Sequence, residues 1–266
     1  MYIVKKITIN FYKIFLIIML IISSFKLLSL LSWKKFSNKT KKQIEIISQI
    51  VNIETNDNIE SDENVNDTRK SNSYWDYVYS HFNNIDFEEL KLINQDVKGW
   101  LYVKGTNINY PFVQTSDNKY YLKHSFDKSY NTAGWLFLDY RNNLIKNKNT
   151  ILYAHGRTDK TMFGTLRNTL SKSWLTNKNN HIVTTLLENK KLLNWQIFSV
   201  YHIKTTSDYL TTDFNNDNEY QTFLNMLLKR SIYNFNVKLN INDKIITLST
   251  CYNTNEKLVL HAKLIS

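Results

Sequence analysis

Eight short runs of β-branched, aliphatic and aromatic residues punctuate the chain beyond residue 100. They constrain the fold more than any other feature. The runs are 100–103, 108–113, 135–139, 150–154, 182–187, 195–203, 245–250 and 258–260. Each has strand length, and polar stretches separate them. Helical periodicity is sparser. Asp86 is placed as an N-cap, with Glu89 three residues on and Phe87, Leu90 and Ile93 on one face. Tyr74, Trp75, Tyr77 and Val78 begin an earlier helix, and 162–174 reads as another. Tyr220, Phe223, Leu224, Leu227 and Leu228 recur at helical spacing, a stripe expected to pack in the core. The expected fold is mainly β with helical additions, a barrel or a sandwich.

The last two runs flank the only cysteine of the chain, Cys251. With no second cysteine an internal disulfide is excluded. A free cysteine is often a small buried hydrophobe, and it reads as a nucleophile only with a histidine elsewhere. Two features favour the nucleophile here. Its neighbours Ser249, Thr250 and Tyr252 are polar or half-polar, and His155 ends the 150–154 run. A thiolate attacks carbonyls, and a histidine exchanges protons near neutral pH. The other histidines (His81, His124, His181, His202 and His261) form no metal-type cluster with Cys251. The expectation is therefore no metal and no cofactor.

The net charge of +11 raises the question of nucleic acid. Its distribution argues otherwise. Residues 1–42 hold nine lysines and no acid; residues 43–72 hold two bases and seven acids; the remainder carries a scattered +7. No basic stripe or nucleic-acid motif accompanies it, so nucleic-acid binding is not expected. Residues 14–33 give twenty positions interrupted by one lysine, Lys26, enough to span a bilayer. A cleaved signal peptide is the alternative, but no small-x-small cleavage site is visible. The division expected is a signal anchor over 1–33, a flexible stalk over 34–73 and a globular domain over 74–266. The short tail before the anchor points inward and the large domain outward.

Several stretches then occur in a telling order. They are Gly99-Trp100-Leu101, then Ile108 with Tyr110-Pro111-Phe112-Val113-Gln114, then 117–124 (DNKYYLKH), and Asp139-Tyr140-Arg141-Asn142. Tyr153-Ala154-His155 with Met162-Phe163 and Thr247-Leu248-Ser249-Thr250-Cys251 complete the set. From about residue 74 onward the sequence resembles the class B sortases, membrane-anchored cysteine transpeptidases of Gram-positive bacteria. The resemblance implies an eight-stranded β-barrel with N-terminal helices and a helix inserted before the cysteine strand. It implies that Cys251 forms a thioester with a C-terminal sorting signal of a surface protein. His155 would protonate the leaving amine and then activate a cell-wall amine, from peptidoglycan or its lipid-linked precursor. Asn118, Leu122, Tyr153 and Ser249 fall where the family contacts its peptide, and 117–124 where it has a helix.

One position departs from the family. Its arginine at the start of the last strand aligns with Lys257, after a shorter loop. A lysine is a point charge, without the planar fork of a guanidinium. Arg157 and Arg141 are other candidate cations, and both read as ordinary surface arginines. Two alternatives to transpeptidation follow: a catalytically weak peptide-binding module, or a thiol hydrolase.

Overall fold

The computed structural model describes residues 2–51, 82, 84–144 and 146–265. The helix expected to begin at Tyr74 and the disorder expected over 52–73 lie outside those residues. The chain divides into two compact units, Met1–Lys39 and Thr40–Ser266.

Helix α1 (Tyr2–Ile50) runs 49 residues without a break. It is long and apolar enough to cross a membrane, and its large apolar side chains from Phe11 to Trp33 are exposed. The flexible stalk expected from residue 34 does not begin there, because the helix continues to Ile50. Its last turns belong to the second unit. Ile47 and Val51 are buried in the main core. Thr40 Oγ1 accepts from Asn131 Nδ2 at 2.9 Å, and Gln43 Oε1 from the Phe126 amide at 3.2 Å. Burying each aliphatic side chain contributes about 1.5–3 kcal/mol. A chain lacking residues 1–51 is therefore expected to melt roughly 10 °C below one lacking 1–39, at 2–4 °C per kcal/mol. Paired calorimetric scans check this; equal melting temperatures would mean that these turns add nothing.

In the second unit, α2 (Phe87–Ile93) begins at Asp86, whose carboxylate accepts from the amides of Glu88 and Glu89. The strands are β1 (Val97–Val103), β2 (Asn109–Val113), β3 (Phe137–Leu138), β4 (Asn149–Tyr153), β5 (Ile182–Leu187), β6 (Leu192–Lys204), β7 (Ile245–Cys251) and β8 (Glu256–Leu264). They close into a barrel in the order β1-β2-β3-β4-β7-β8-β6-β5. Closure leaves no sheet edge unpaired. Two neighbouring pairs, β2–β3 and β4–β7, are parallel. The second of these positions the site, since parallel strands end at the same rim.

Strand β7 is covered on both faces. Ile246 and Leu248 join the main core. Ile245 joins a second cluster with Phe198, Tyr201 and Val259, under α4 (Asp217–Arg230). The stripe read from the sequence supplies that cover: Tyr220, Phe223, Leu224 and Leu227 are all buried. Two expected helices are shorter. Over 162–174 the chain forms a 3-10 segment (Gly164–Leu170) and then α3 (Lys172–Thr176). Ser171 divides them by turning extended and capping Trp174. Over 117–124 only one 3-10 turn forms, Tyr120–Leu122. There Asp117 ties up the amides of Lys119 and Tyr120, and His124 bridges to Tyr130.

His261 of β8 lies wholly buried beside β7. Its Nδ1 is 2.8 Å from Thr247 Oγ1, which donates to Asn149 Oδ1, and its Nε2 is 3.0 Å from the Tyr201 hydroxyl. One neutral tautomer satisfies both ring nitrogens, Nδ1–H donating to Thr247 and Nε2 accepting from Tyr201. Burial pushes its pKa down to about 3, with Arg230 adding to the effect. Below the ordinary histidine value of about 6.5 the unfolded chain takes up a proton that the folded chain refuses. Stability should therefore fall between about pH 6.5 and about pH 3. Urea titrations of the wild type and His261→Gln check this: the wild type is expected to lose more stability across that window.

Candidate active site

Cys251 is the last residue of β7 and the first to leave the core, since Ile245 through Thr250 are buried and Cys251 is exposed. The sheet fixes its backbone while its thiol faces solvent. β4 runs alongside in parallel, with Tyr153 level with Ser249. Thr250 Oγ1 donates to Ala154 O at 2.7 Å, extending the pairing one residue past β4. His155 follows directly. The next residue, Gly156, packs so tightly on the cysteine that an added Cβ would stand 2.3 Å from the Cys251 carbonyl oxygen. Strand pairing thus brings the histidine and cysteine segments to one rim.

The His155 ring is oriented from the other side. Its Nε2 is 2.9 Å from the Leu122 carbonyl, which can only accept, so Nε2 carries a proton. In the neutral ring Nδ1 is then the basic nitrogen. Gly134 makes room for this arrangement. It sits at φ +63°, where a side chain is strained, and an added Cβ would lie 3.0 Å from the His155 ring and 2.5 Å from Tyr121 O.

Lys257 is brought in by the hairpin. β7 and β8 are antiparallel, with Cys251 opposite Lys257. The Tyr252 amide donates to Glu256 O at 2.9 Å and holds the turn. Lys257 Nζ donates to Cys251 Sγ at 3.2 Å. Of the two arginines considered alongside it, Arg141 is at the surface and Arg157 is not. Arg157 is nearly buried and paired to Asp159 at 2.6 Å, and Arg141 is paired to buried Asp139 at 2.7 Å. Arg167, which the sequence did not single out, packs on Tyr252, the residue after Cys251. Its guanidinium stacks 5.0 Å from the Tyr252 ring and donates to the Tyr252 carbonyl.

The expected peptide-contacting residues are placed unequally. Leu122 is partly exposed and presents its carbonyl to His155. Asn118 and Tyr153 share a partner: Asn118 Nδ2 and the Tyr153 hydroxyl both donate to Asp139 Oδ2 at 2.9 Å. Burial and the neighbouring carboxylate push the Tyr153 hydroxyl well above the usual tyrosine range, so it stays a donor. Ser249 is buried, and its hydroxyl lies 3.0 Å from the Tyr209 hydroxyl. Tyr209 is itself buried, in the second cluster. Sequence reasoning missed Tyr209 because it sits in an irregular polar stretch far from both motifs. Gly134 carried a faint signal, being one of only five glycines.

Comparison with known proteins shows the family. A family model described as the sortase domain matches residues 101–265. Sortase B of Staphylococcus aureus is 38% identical over 184 residues, covering 67% of this chain and 74% of the relative. Sortase B of Listeria monocytogenes is 36% identical over 186 residues, covering 68% and 74%. Among solved structures, a Staphylococcus aureus sortase B–substrate complex aligns at a TM-score of 0.64 and 34% identity, over 74% of this chain and 94% of the other. Clostridium perfringens sortase B aligns at 0.64 and 34%, over 68% and 100%.

Proposed function

Since the chain belongs to the sortase family and its relatives are class B, we infer that Cys251, His155 and Lys257 form the catalytic centre of a cysteine transpeptidase. The observation that carries these roles is the meeting of all three at one barrel rim, with Lys257 Nζ 3.2 Å from the thiol. Cys251 attacks the scissile carbonyl of a sorting-signal peptide, forming a C–S bond and a tetrahedral oxyanion. Collapse breaks the C–N bond, and His155 gives a proton to the departing amine. An amine acceptor then attacks the thioester, His155 takes its proton, and the thiolate leaves. Lys257, with or without a backbone amide, supplies positive charge for the oxyanion. Asn118, Leu122, Tyr153 and, through Tyr209, Ser249 line the approach of the peptide.

The membrane assignment is part of the same reading. Residues 14–33 of α1 form a single-pass anchor, and the barrel stands outside the cell, where surface proteins and cell-wall amines are available. Residues 34–73 then join anchor to barrel, the last turns of α1 acting as part of the folded domain.

The test is a peptide-library screen with the full chain in detergent, read by mass spectrometry with and without an amine acceptor. A thioester adduct on Cys251 that becomes an amide product with the acceptor supports transpeptidation. Hydrolysis unchanged by the acceptor would make the enzyme a thiol hydrolase. Peptide binding without any adduct would make it a binding module.

A further inference from the structure

Asp139 is a charged group beside the expected peptide contacts, and the reaction above has no use for it. It directly follows β3, and its side chain is wholly shielded from solvent. A buried carboxylate is costly unless it is paired and hydrogen-bonded. Asp139 is both, and its donors come from separate parts of the chain. Oδ1 accepts from the Arg141 amide and Nε, each at 2.9 Å. Oδ2 accepts from Arg141 Nη2 at 2.7 Å, and from Asn118 Nδ2 and the Tyr153 hydroxyl at 2.9 Å each. Burial alone would push this carboxyl up, but the hydrogen bonds from Arg141, Tyr153 and Asn118 outweigh it and hold it below the usual range.

The partners matter more than their number. Asn118 precedes the turn whose Leu122 carbonyl orients His155. Its amide is gripped at both ends, since Asn118 Oδ1 accepts from the Tyr140 amide at 3.0 Å. Tyr153 stands two residues before His155. Arg141 reaches onward to donate to Leu210 O at 3.0 Å. Leu210 follows Tyr209, the residue bonded to Ser249. The connection from β6 to α4 is thereby tied to the same carboxylate as Asn118 and Tyr153.

We propose that Asp139 is a positioning residue for peptide recognition: it fixes Asn118 and Tyr153 directly and the Tyr209–Leu210 segment through Arg141, setting the shape of the peptide site without touching the reacting atoms. The proposal rests on the peptide-site reading above. Its signature is a change in peptide affinity with the chemical step preserved, because among the described residues no side-chain hydrogen bond joins Asp139, Asn118, Arg141 or Tyr153 to Cys251, His155 or Lys257.

The experiment uses the full chain in detergent and a fluorescein-labelled peptide selected from the library screen. Asp139→Asn places an amide where Asn118 Nδ2 and Tyr153 donate and removes the charge facing Arg141. It is expected to raise KM about tenfold, equivalent to about 1.4 kcal/mol, with kcat and the alkylation rate of Cys251 by iodoacetamide within about threefold of wild type. In the Cys251→Ala background, anisotropy should show the same loss of peptide affinity. Reciprocal exchange, Asp139→Asn with Asn118→Asp, restores a donor–acceptor pair and should recover part of that affinity, which a merely stabilising Asp139 would not produce. If Asp139→Asn does not fold, Arg141→Lys replaces it, since lysine keeps the charge but cannot bridge Asp139 and Leu210 O together. Unchanged KM and peptide affinity in the folded variant would overturn the proposal, as would a fall in kcat with KM unchanged. A wild type that binds peptide without cleaving it would refute the transpeptidase reading and leave the affinity comparison intact.

Discussion

Cys251→Ala is expected to abolish peptide cleavage, and His155→Ala to reduce it to the background of an unassisted thiol, while both keep their fold. The thiol forms and breaks the acyl bond, and no other cysteine exists to replace it. Alanine at 251 should cost little stability, because this residue is the exposed end of an otherwise buried strand. The histidine effect arises differently. Its loss leaves attack possible but removes the proton donor for the leaving amine, a contribution typically of 10²–10⁴-fold. His155 is held by one hydrogen bond to Leu122 O and lies at the surface, so its removal should leave the barrel intact. Near-UV circular dichroism together with cleavage kinetics decides both. Substantial turnover by either variant would remove the mechanism. An indirect probe adds to the test: Gly134→Ala should also impair turnover, by crowding the His155 ring.

Lys257→Ala is expected to lower kcat/KM by about two orders of magnitude. Removing one oxyanion donor typically costs on the order of 3 kcal/mol in the transition state, at about 1.4 kcal/mol per factor of ten. The structure supports that role, since Nζ donates to Cys251 Sγ at 3.2 Å and so stands beside the reacting atom before any substrate binds. Lys257→Arg keeps the charge and should retain or raise activity where the hairpin admits the longer side chain. Full activity of Lys257→Ala would mean that the charge comes from elsewhere. Arg157 is then a poor alternative, being locked to Asp159. Arg167, stacked on Tyr252 and bonded to its carbonyl, is the next to test.

Much of the domain was legible in residue order because β-periodicity and core burial are local properties. The 182–187 run became β5 without change, and β7 begins where its apolar run begins. Asp86 caps α2 as its spacing with Glu89 implies, and the stripe from Tyr220 to Leu227 became the cover over β6, β7 and β8. Errors occurred where a polar side chain redirected the backbone. Ser171 splits one expected helix and Asp117 shortens another. The last turns of α1 differ for another reason: an apolar stripe too short to signal a domain on its own is stabilised by docking on the barrel core.

By itself the sequence determined which residues could do chemistry: one thiol at the end of a strand, one histidine at the end of another, and a lysine at the start of a third. It could not determine that the three meet. That depends on pairing between strands far apart in the chain. β4 and β7 align in parallel, so that Tyr153 stands level with Ser249 and both strands end at one rim. The antiparallel turn to β8 then places Lys257 opposite Cys251. The role of Asp139 is more hidden still. Asp139 stands in one of the stretches that carry the resemblance, but nothing in 139–142 shows it to be buried, and only closure of the barrel shields it from water and gathers Asn118, Arg141 and Tyr153 around it.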